Sequence, residues 1–311
     1  MDDVSTVFLI LLSLSCITYY VHTNTNAFDM MSKQNGTVQK PILWIYLNSS
    51  DVNSRSWSDF MDRSSRAINL PFLNLCYKSI ATKNSQIYDV QVIGGLQDLA
   101  VLMGGWDALP VPLQNPNAFV REPELNWIRA AVLAKWGGLW VSPATICLKP
   151  FGPLPKKRVV FFGTDPSPAY SSADIIPGLN VVWSPVAEHP LWLSWEKKVR
   201  DRLNRRSGGS EFRNDEKSDL RDAITDYKSD CMVISTAEVS RKGPSLKRIE
   251  LEDLLAAGTE GDIPFNVDKA AVYLPIPYPE ILERKAFEWF LRMSEDQILE
   301  SDLVITYFFM I

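Results

Sequence analysis

The chain has 311 residues, of which 46% are apolar and 22% charged, so a sizeable core is available and one α/β domain with extensions, or two domains, is expected. The net charge of -5 argues against nucleic acid as the main partner, because binding to phosphates needs a basic surface. Four widely spaced cysteines argue against a zinc knuckle or a disulfide scaffold, and two histidines are too few for a multi-histidine metal site.

The first predicted element is an apolar segment at residues 4–21. No charge lies between Asp3 and Asp29, and the segment is close to the roughly 20 residues that cross a bilayer. A secretory signal would begin with basic residues, whereas two aspartates follow the initiator methionine here. We therefore predict a transmembrane signal-anchor and a single-pass membrane protein, with a cleaved signal or a buried core helix as the alternatives.

The orientation of this anchor stays open. Lys33 and Lys40 follow it, which favours a cytoplasmic carboxyl-terminal side. Two glycosylation sequons, beginning at Asn35 and Asn48, favour the opposite side, which is the lumen of the endoplasmic reticulum or Golgi if the chain is in a eukaryotic secretory pathway. The polar, non-periodic residues 22–40 are typical of a stem or linker.

From residue 41 onwards, strand and helix patterns alternate. The predicted strands are residues 41–48, 87–93, 139–141, 158–162, 180–183 and 232–234. The predicted helices are residues 71–84, 122–136, 190–203 and 279–292, and the charged residues 204–230 are predicted to form a surface loop. This alternation indicates a parallel or mixed α/β sheet, which binds ligands beyond the carboxyl ends of its strands. The predicted site therefore combines the Asn48 loop, the start of helix 122–136 and the segment after Val141.

Residues 124–150 carry the most informative pattern, in which a helix, two glycines, an aromatic strand and a closing Leu-Lys-Pro follow one another. This stretch resembles the capsular-polysaccharide-synthesis and initiating-mannosyltransferase group of sugar transferases, glycosyltransferase family 32. The matching residues are Arg129, Lys135, Trp136-Gly137-Gly138, Trp140, Thr145 and Leu148-Lys149-Pro150. The resemblance implies a GT-A-like nucleotide-diphospho-sugar transferase fold over residues 41–311, with a mixed, mostly parallel sheet. It also implies polysaccharide biosynthesis, with sugar moving from a nucleotide-sugar donor to a glycan or other hydroxyl acceptor.

The resemblance also implies which side chains bind the donor. Arg129 would contact the diphosphate, and Ser142 and Thr145 would line the donor site. Asn126 stands where the family has an aspartate before the helix arginine, and Trp140 is the aromatic residue of the strand, where packing in the core competes with stacking on a sugar.

Asp165, which follows the strand at 158–162, is the predicted catalytic carboxylate. It would orient the acceptor or act as a general base, and its alternative role is that of a turn residue before Pro166.

The acidic metal-binding motif of the family is missing from this chain. Ser142, Pro143 and Ala144 occupy its positions, whereas Mn²⁺ and Mg²⁺ prefer carboxylate oxygens. The cofactor is therefore open, because the family implies Mn²⁺ or Mg²⁺ and the usual pair of aspartates is absent. Either fixed cationic groups such as Arg129 stabilise the leaving group, or the fold serves as a catalytically inactive binding or scaffold protein. The hypothesis of a non-transferase α/β enzyme has little support, because the sequence contains no phosphate-binding loop and no nucleophile elbow.

Overall fold

The computed structural model describes residues 40–48, 70–164, 177–205, 215–239, 241–242, 247–258, 267 and 269–311. These residues belong almost entirely to the second of two units, Met1–Lys40 and Pro41–Ile311, into which the chain divides. The predicted anchor at 4–21, the stem up to residue 39 and Asp165 lie outside the described residues. Within the described ranges, no helix is both long enough and apolar enough to cross a bilayer.

A six-stranded sheet forms the centre of this unit. The strands of the described residues are β1 (Ile42–Leu47), β2 (Asp89–Gly94), β3 (Gly138–Val141), β4 (Thr145–Cys147), β5 (Val159–Thr164), β6 (Pro177–Ser184), β7 (Cys231–Ile234), β8 (Arg241–Lys242), β9 (Lys247–Arg248) and β10 (Tyr273–Pro275). The main sheet has the order β2-β1-β3-β6-β5-β7, and two-stranded ribbons form from β10 with β4 and from β8 with β9.

Five strands of the main sheet run in one direction. β1 is parallel to β2 and β3, and β5 is parallel to β7, whereas β6 is antiparallel to both of its neighbours, β3 and β5. The carboxyl ends of β1, β2, β3, β5 and β7 therefore lie at one edge of the sheet, where β6 begins. This arrangement confirms the predicted α/β class with a mixed, mostly parallel sheet.

Helices cover both faces of the sheet. They are α1 (Pro71–Asn84), α2 (Leu96–Met103), α3 (Glu122–Trp136), α4 (Pro190–Arg205), α5 (Asp215–Asp226), α6 (Leu251–Leu254), α7 (Tyr278–Glu283), α8 (Glu288–Leu291), α9 (Glu295–Leu299) and α10 (Val304–Met310). On one face, α3 and α4 pack on a row of strand partners, which are Trp44, Trp140, Val182 and Phe161. Side chains alternate along a strand, so Leu43, Ile45 and Val141 face the opposite layer, towards α1 and the β4–β10 ribbon.

Two predicted elements differ in the structure. The predicted surface loop at 204–230 contains α5, because Leu220 and Ala223 form an apolar side that packs on α4 while Asp219 pairs with Arg202. The predicted helix at 279–292 is broken into α7, a 3₁₀ turn and α8, since the backbone at Arg284 is extended. Helix α5 was not predicted because its sequence is highly charged. The break at Arg284 was not predicted because the apolar spacing on either side of it is that of a continuous helix.

A pair of glycines turns the chain from α3 into β3. Gly137 and Gly138 have φ values of 65° and 94°, the left-handed region that favours glycine. A methyl group at Gly138 would lie 2.5 Å from the carbonyl oxygen of Ile42. The indole of Trp44 donates to the Gly137 carbonyl at 2.9 Å. The turn therefore presses the start of β3 directly against β1.

Candidate functional site

The strand order creates a crevice between β1 and β3. From β1 the chain crosses to β2 on one side, and from β2 it crosses back to β3 on the other side of β1. Such a switch in strand order separates the connecting segments beyond the carboxyl ends, and ligands of open α/β sheets bind there. Asn48 follows β1 and Ser142 follows β3, and both are partly exposed. The structure thus brings two of the three predicted parts of the site to one crevice.

The third part, the start of α3, also reaches this crevice. The side-chain amide of Asn48 donates to the carbonyl of Val120 at 3.4 Å, two residues before α3 begins. The helix therefore directs its amino-terminal end, which carries a partial positive charge, towards the end of β1. The Glu124 carboxylate accepts from the backbone N–H of Arg121 at 3.0 Å and satisfies one of the free donors of the first turn.

Behind the crevice, α3 buries a guanidinium group. Arg129 and Asn126 are 2% and 3% exposed, and Arg129 Nη1 donates to Asn126 Oδ1. The guanidinium carbon lies 5.5 Å from the ring centre of Trp140, which is fully buried. Arg129 Nε and the indole nitrogen of Trp140 have no hydrogen-bond partner in the described part of the chain. The structure therefore brings together three of the predicted donor-binding residues, beneath the surface of the site.

The charge of Arg129 is only weakly compensated. Burial lowers the pKa of Arg129 to about 10, and the charge of Glu122 opposes part of this shift. Arg129 is consequently a cation at neutral pH. Among the described residues it forms no ion pair within 4.0 Å, and an uncompensated buried ion costs several kcal/mol. Glu122 and Arg129 are separated by about 10 Å along the helix axis at 1.5 Å per residue, so a positive charge lies two turns below the crevice.

Ser142 and Thr145 have different surroundings, although they are close in sequence. The N–H of Ser142 donates to the Asn180 carbonyl at 2.7 Å, which places Ser142 at the edge of the sheet. Thr145 is fully buried in β4, opposite Pro275, and α1 covers this ribbon. Its hydroxyl has no hydrogen-bond partner within the described ranges. In this structure Ser142 is accessible to a ligand, whereas Thr145 and Trp140 are not.

A carboxyl group that the sequence reasoning missed lies at the same edge. Glu238 follows β7 after a 3₁₀ turn at Ser235–Ala237, and it is partly exposed. The hydroxyl of Tyr273 is 2.9 Å from Glu238 Oε2 and 2.6 Å from the carbonyl oxygen of Phe162. Strand β7 ends at the same edge as β1 and β3. The rule that ligands bind beyond strand ends could therefore have pointed to Glu238 from the sequence.

The residues at the acidic-motif positions do not fit a divalent cation. Ser142 offers one neutral hydroxyl, Pro143 and Ala144 offer no side-chain ligand, and hard cations need several oxygen ligands. No group of three or more histidine, cysteine, aspartate or glutamate side chains with metal-binding geometry occurs among the residues that the structure describes.

His189 begins a helix. Its Nδ1 accepts from the N–H of Leu191 at 3.3 Å, and its carbonyl accepts from Trp192 at 3.0 Å. Burial lowers the pKa of His189, and the charge of Asp230 opposes this shift. His189 therefore caps α4.

No protein-family model matches the sequence, and a comparison with curated proteins finds no match. Among solved structures, a transferase with two cysteine-to-serine substitutions aligns with 59% of this chain and 83% of its own length. The identity is 10% and the TM-score is 0.30. A likeness at this level carries no inference about function.

Proposed function

We propose that this protein is a glycosyltransferase with a GT-A-like fold, which binds a nucleotide-sugar donor in the crevice between the carboxyl ends of β1 and β3. The observation that carries the proposal is the coincidence of three features at one place. These are the switch in strand order, the amino-terminal end of α3 and the weakly compensated charge of Arg129 behind them. A nucleoside diphosphate is the kind of anion that such a crevice selects.

During the transfer step, the site must stabilise the negative charge of the diphosphate as it leaves. The bond between the anomeric carbon and the phosphate oxygen breaks, and its electron pair leaves with the diphosphate. A hydroxyl oxygen of a glycan or polysaccharide acceptor forms the new bond to the sugar and loses its proton. Positive groups fixed before the reaction lower the energy of the developing charge most effectively. Arg129 and the start of α3 supply that charge here, and Ser142 hydrogen-bonds the donor. Asp165 is proposed to orient the acceptor or take its proton.

Chain organisation completes the proposal. The segment at 4–21 anchors the protein in a membrane, residues 22–40 form the stem, and residues 41–311 form the transferase domain. No nucleic acid partner is proposed, because the chain is acidic. The alternative is a catalytically inactive binding or scaffold protein on the same fold. The observation that favours it is the absence of a carboxylate at Ser142 and Ala144.

Isothermal titration of the purified full-length chain with a panel of nucleoside-diphosphate sugars tests the proposal. At least one donor should bind, and transfer to an acceptor should continue in the presence of a chelator. As a matched comparison, Ser142→Asp should gain a dependence on Mn²⁺, because it adds a carboxylate ligand at the crevice. Binding without transfer would establish the inactive alternative, and no binding by any donor would refute the transferase.

A further inference from the structure

Glu238 lies where β5 ends and β6 begins. A methyl group built on Gly163 would lie 2.0 Å from Glu238 Oε2 and 2.9 Å from the Tyr273 hydroxyl, and one on Gly178 would lie 3.4 Å from Oε2. Gly163 also has a φ of 90°, which a residue with a side chain rarely adopts. Two glycines on neighbouring strands therefore leave the backbone open for this one carboxyl group.

Tyr273 holds the carboxyl group in a defined position. Tyr273 is fully buried, and its hydroxyl carries one hydrogen for two oxygen neighbours, Phe162 O and Glu238 Oε2. When Glu238 is ionised, the phenol can donate to it. Burial, and next the charge of Glu238, raise the pKa of Tyr273 well above its ordinary value, so the phenol stays neutral.

This group can accept a hydrogen bond from an alcohol. A sugar hydroxyl donates one hydrogen bond, and the oxygens of an ionised carboxylate accept such a bond. Phosphate oxygens, in contrast, would be repelled by an ionised carboxylate. The chemistry of Glu238 therefore suits the sugar part of a nucleotide sugar and does not suit the diphosphate.

The distance from the crevice also suits the sugar part. Ser142 pairs with Asn180 of β6, and Gly178 lies two residues nearer the edge on the same strand. From β3 across β6 to β5 is two inter-strand steps, roughly 10 Å at about 4.8 Å each. The diphosphate at Ser142 and a hydroxyl at Glu238 would then lie along one edge of the sheet.

We propose that Glu238 is the sugar-binding residue of this site and that its carboxylate accepts hydrogen bonds from hydroxyl groups of the transferred sugar. Tyr273 is its positioning residue, and Gly163 and Gly178 provide the space. The inference rests on the proposed function, because it assumes that a nucleotide sugar occupies the crevice.

Titration with two probes separates this inference from the proposed function. The probes are a nucleoside-diphosphate sugar that binds the wild type and the same nucleoside diphosphate without its sugar. Glu238→Gln should weaken binding of the nucleotide sugar by about 10-fold, the effect of one lost charge-assisted hydrogen bond, and should leave the plain nucleotide unchanged. The matched control is Glu300→Gln, an exposed carboxylate on another element, which should change neither affinity. Tyr273→Phe should also weaken binding of the nucleotide sugar, by about 3- to 10-fold, and should leave binding of the plain nucleotide unchanged.

Each result decides the matter. Equal affinities of Glu238→Gln and wild type for the nucleotide sugar would overturn the inference and leave the proposed function intact. Parallel losses for both probes would also overturn it, since they would show a general effect on the site. If neither probe binds the wild type, the proposed function fails and the inference fails with it. Because Glu238 is partly exposed, Glu238→Gln should fold even if Tyr273→Phe does not.

Discussion

Arg129 carries a charge that the surrounding residues stabilise only weakly. Replacement of a buried ion by an apolar residue of similar volume is often neutral or stabilising. A binding site keeps such an ion despite its cost in folding stability, because the charge attracts the ligand. We expect Arg129→Met to keep the free energy of unfolding or raise it by up to about 3 kcal/mol. The same change should weaken binding of a nucleoside diphosphate by about 10-fold, because unit charges about 10 Å apart interact by about 1.5 kcal/mol at an effective dielectric constant of about 20. Thermal unfolding and titration calorimetry on one preparation measure both quantities.

The matched control for this substitution is Arg200→Met. Arg200 pairs with Glu196 and stacks over Trp127 on the neighbouring helix, with 30% of its side chain exposed. Its loss should cost at most about 1 kcal/mol and leave nucleotide binding intact. If Arg129→Met lost several kcal/mol of stability and bound nucleotide as tightly as the wild type, Arg129 would be a structural residue.

Alkaline pH reports on the same group. Burial lowers the pKa of Arg129 in the folded chain to about 10, so the unfolded chain holds this proton more tightly. The unfavourable contribution of Arg129 is therefore complete below about pH 10, and it is relieved as the pH rises towards the ordinary arginine pKa. Arg129→Met should lack this component of the pH dependence of unfolding.

At the scale of single elements, the turn between α3 and β3 depends on the space around its glycines. Gly138→Ala should lose about 3 kcal/mol or more of unfolding free energy, because the left-handed backbone and the Ile42 carbonyl both oppose a side chain. Gly152→Ala is a matched control, since Gly152 has a φ of 66° but no atom within 4 Å of the position that an added methyl group would take. It should lose about 1 kcal/mol. Equal losses in chemical unfolding would show that backbone strain alone determines the cost.

The elements themselves were largely predictable where one pattern dominated. Strand β1 and helix α3 emerged from the apolar run at 42–47 and from the glycines after Trp136. Helix α5 did not, because Leu220 and Ala223 are surrounded by charges and their packing against α4 is a tertiary contact. The break at Arg284 was equally invisible, since the residues on either side have ordinary helical spacing.

At the scale of the whole molecule, residue 41 should mark where the folded domain begins. β1 lies between β2 and β3, so its removal would separate the sheet into two parts. A chain without residues 1–40 should be soluble and unfold cooperatively, whereas one without residues 1–48 should not fold. Circular dichroism measures whether each shortened chain is folded, and its amount in the supernatant after membranes are sedimented measures its solubility. Release of the full-length chain from membranes by alkaline carbonate would contradict the predicted anchor.

The sequence predicted which strand ends meet at one edge better than which side chains are exposed there. Parallel strands end at one edge of a sheet, so the sequence alone could place Asn48 and Ser142 at the crevice. The positions of Trp140 and Thr145 depended on which layer covers each side chain, and no local pattern contains that information. Glu238 was missed because its partner Tyr273 is 35 residues away in the chain and lies in a separate ribbon.

The single antiparallel strand of the main sheet has a consequence for the order of folding. β5 and β6 are neighbours in both sequence and space, while β1, β2 and β3 must wait for the long crossovers through α1 and α3. Loop closure between nearby segments costs less entropy, so contacts of low sequence separation form early. We expect the β5–β6 hairpin to be the first part of the sheet to form. β3 would then add to the exposed side of β6, and the crevice between β1 and β3 would be completed last.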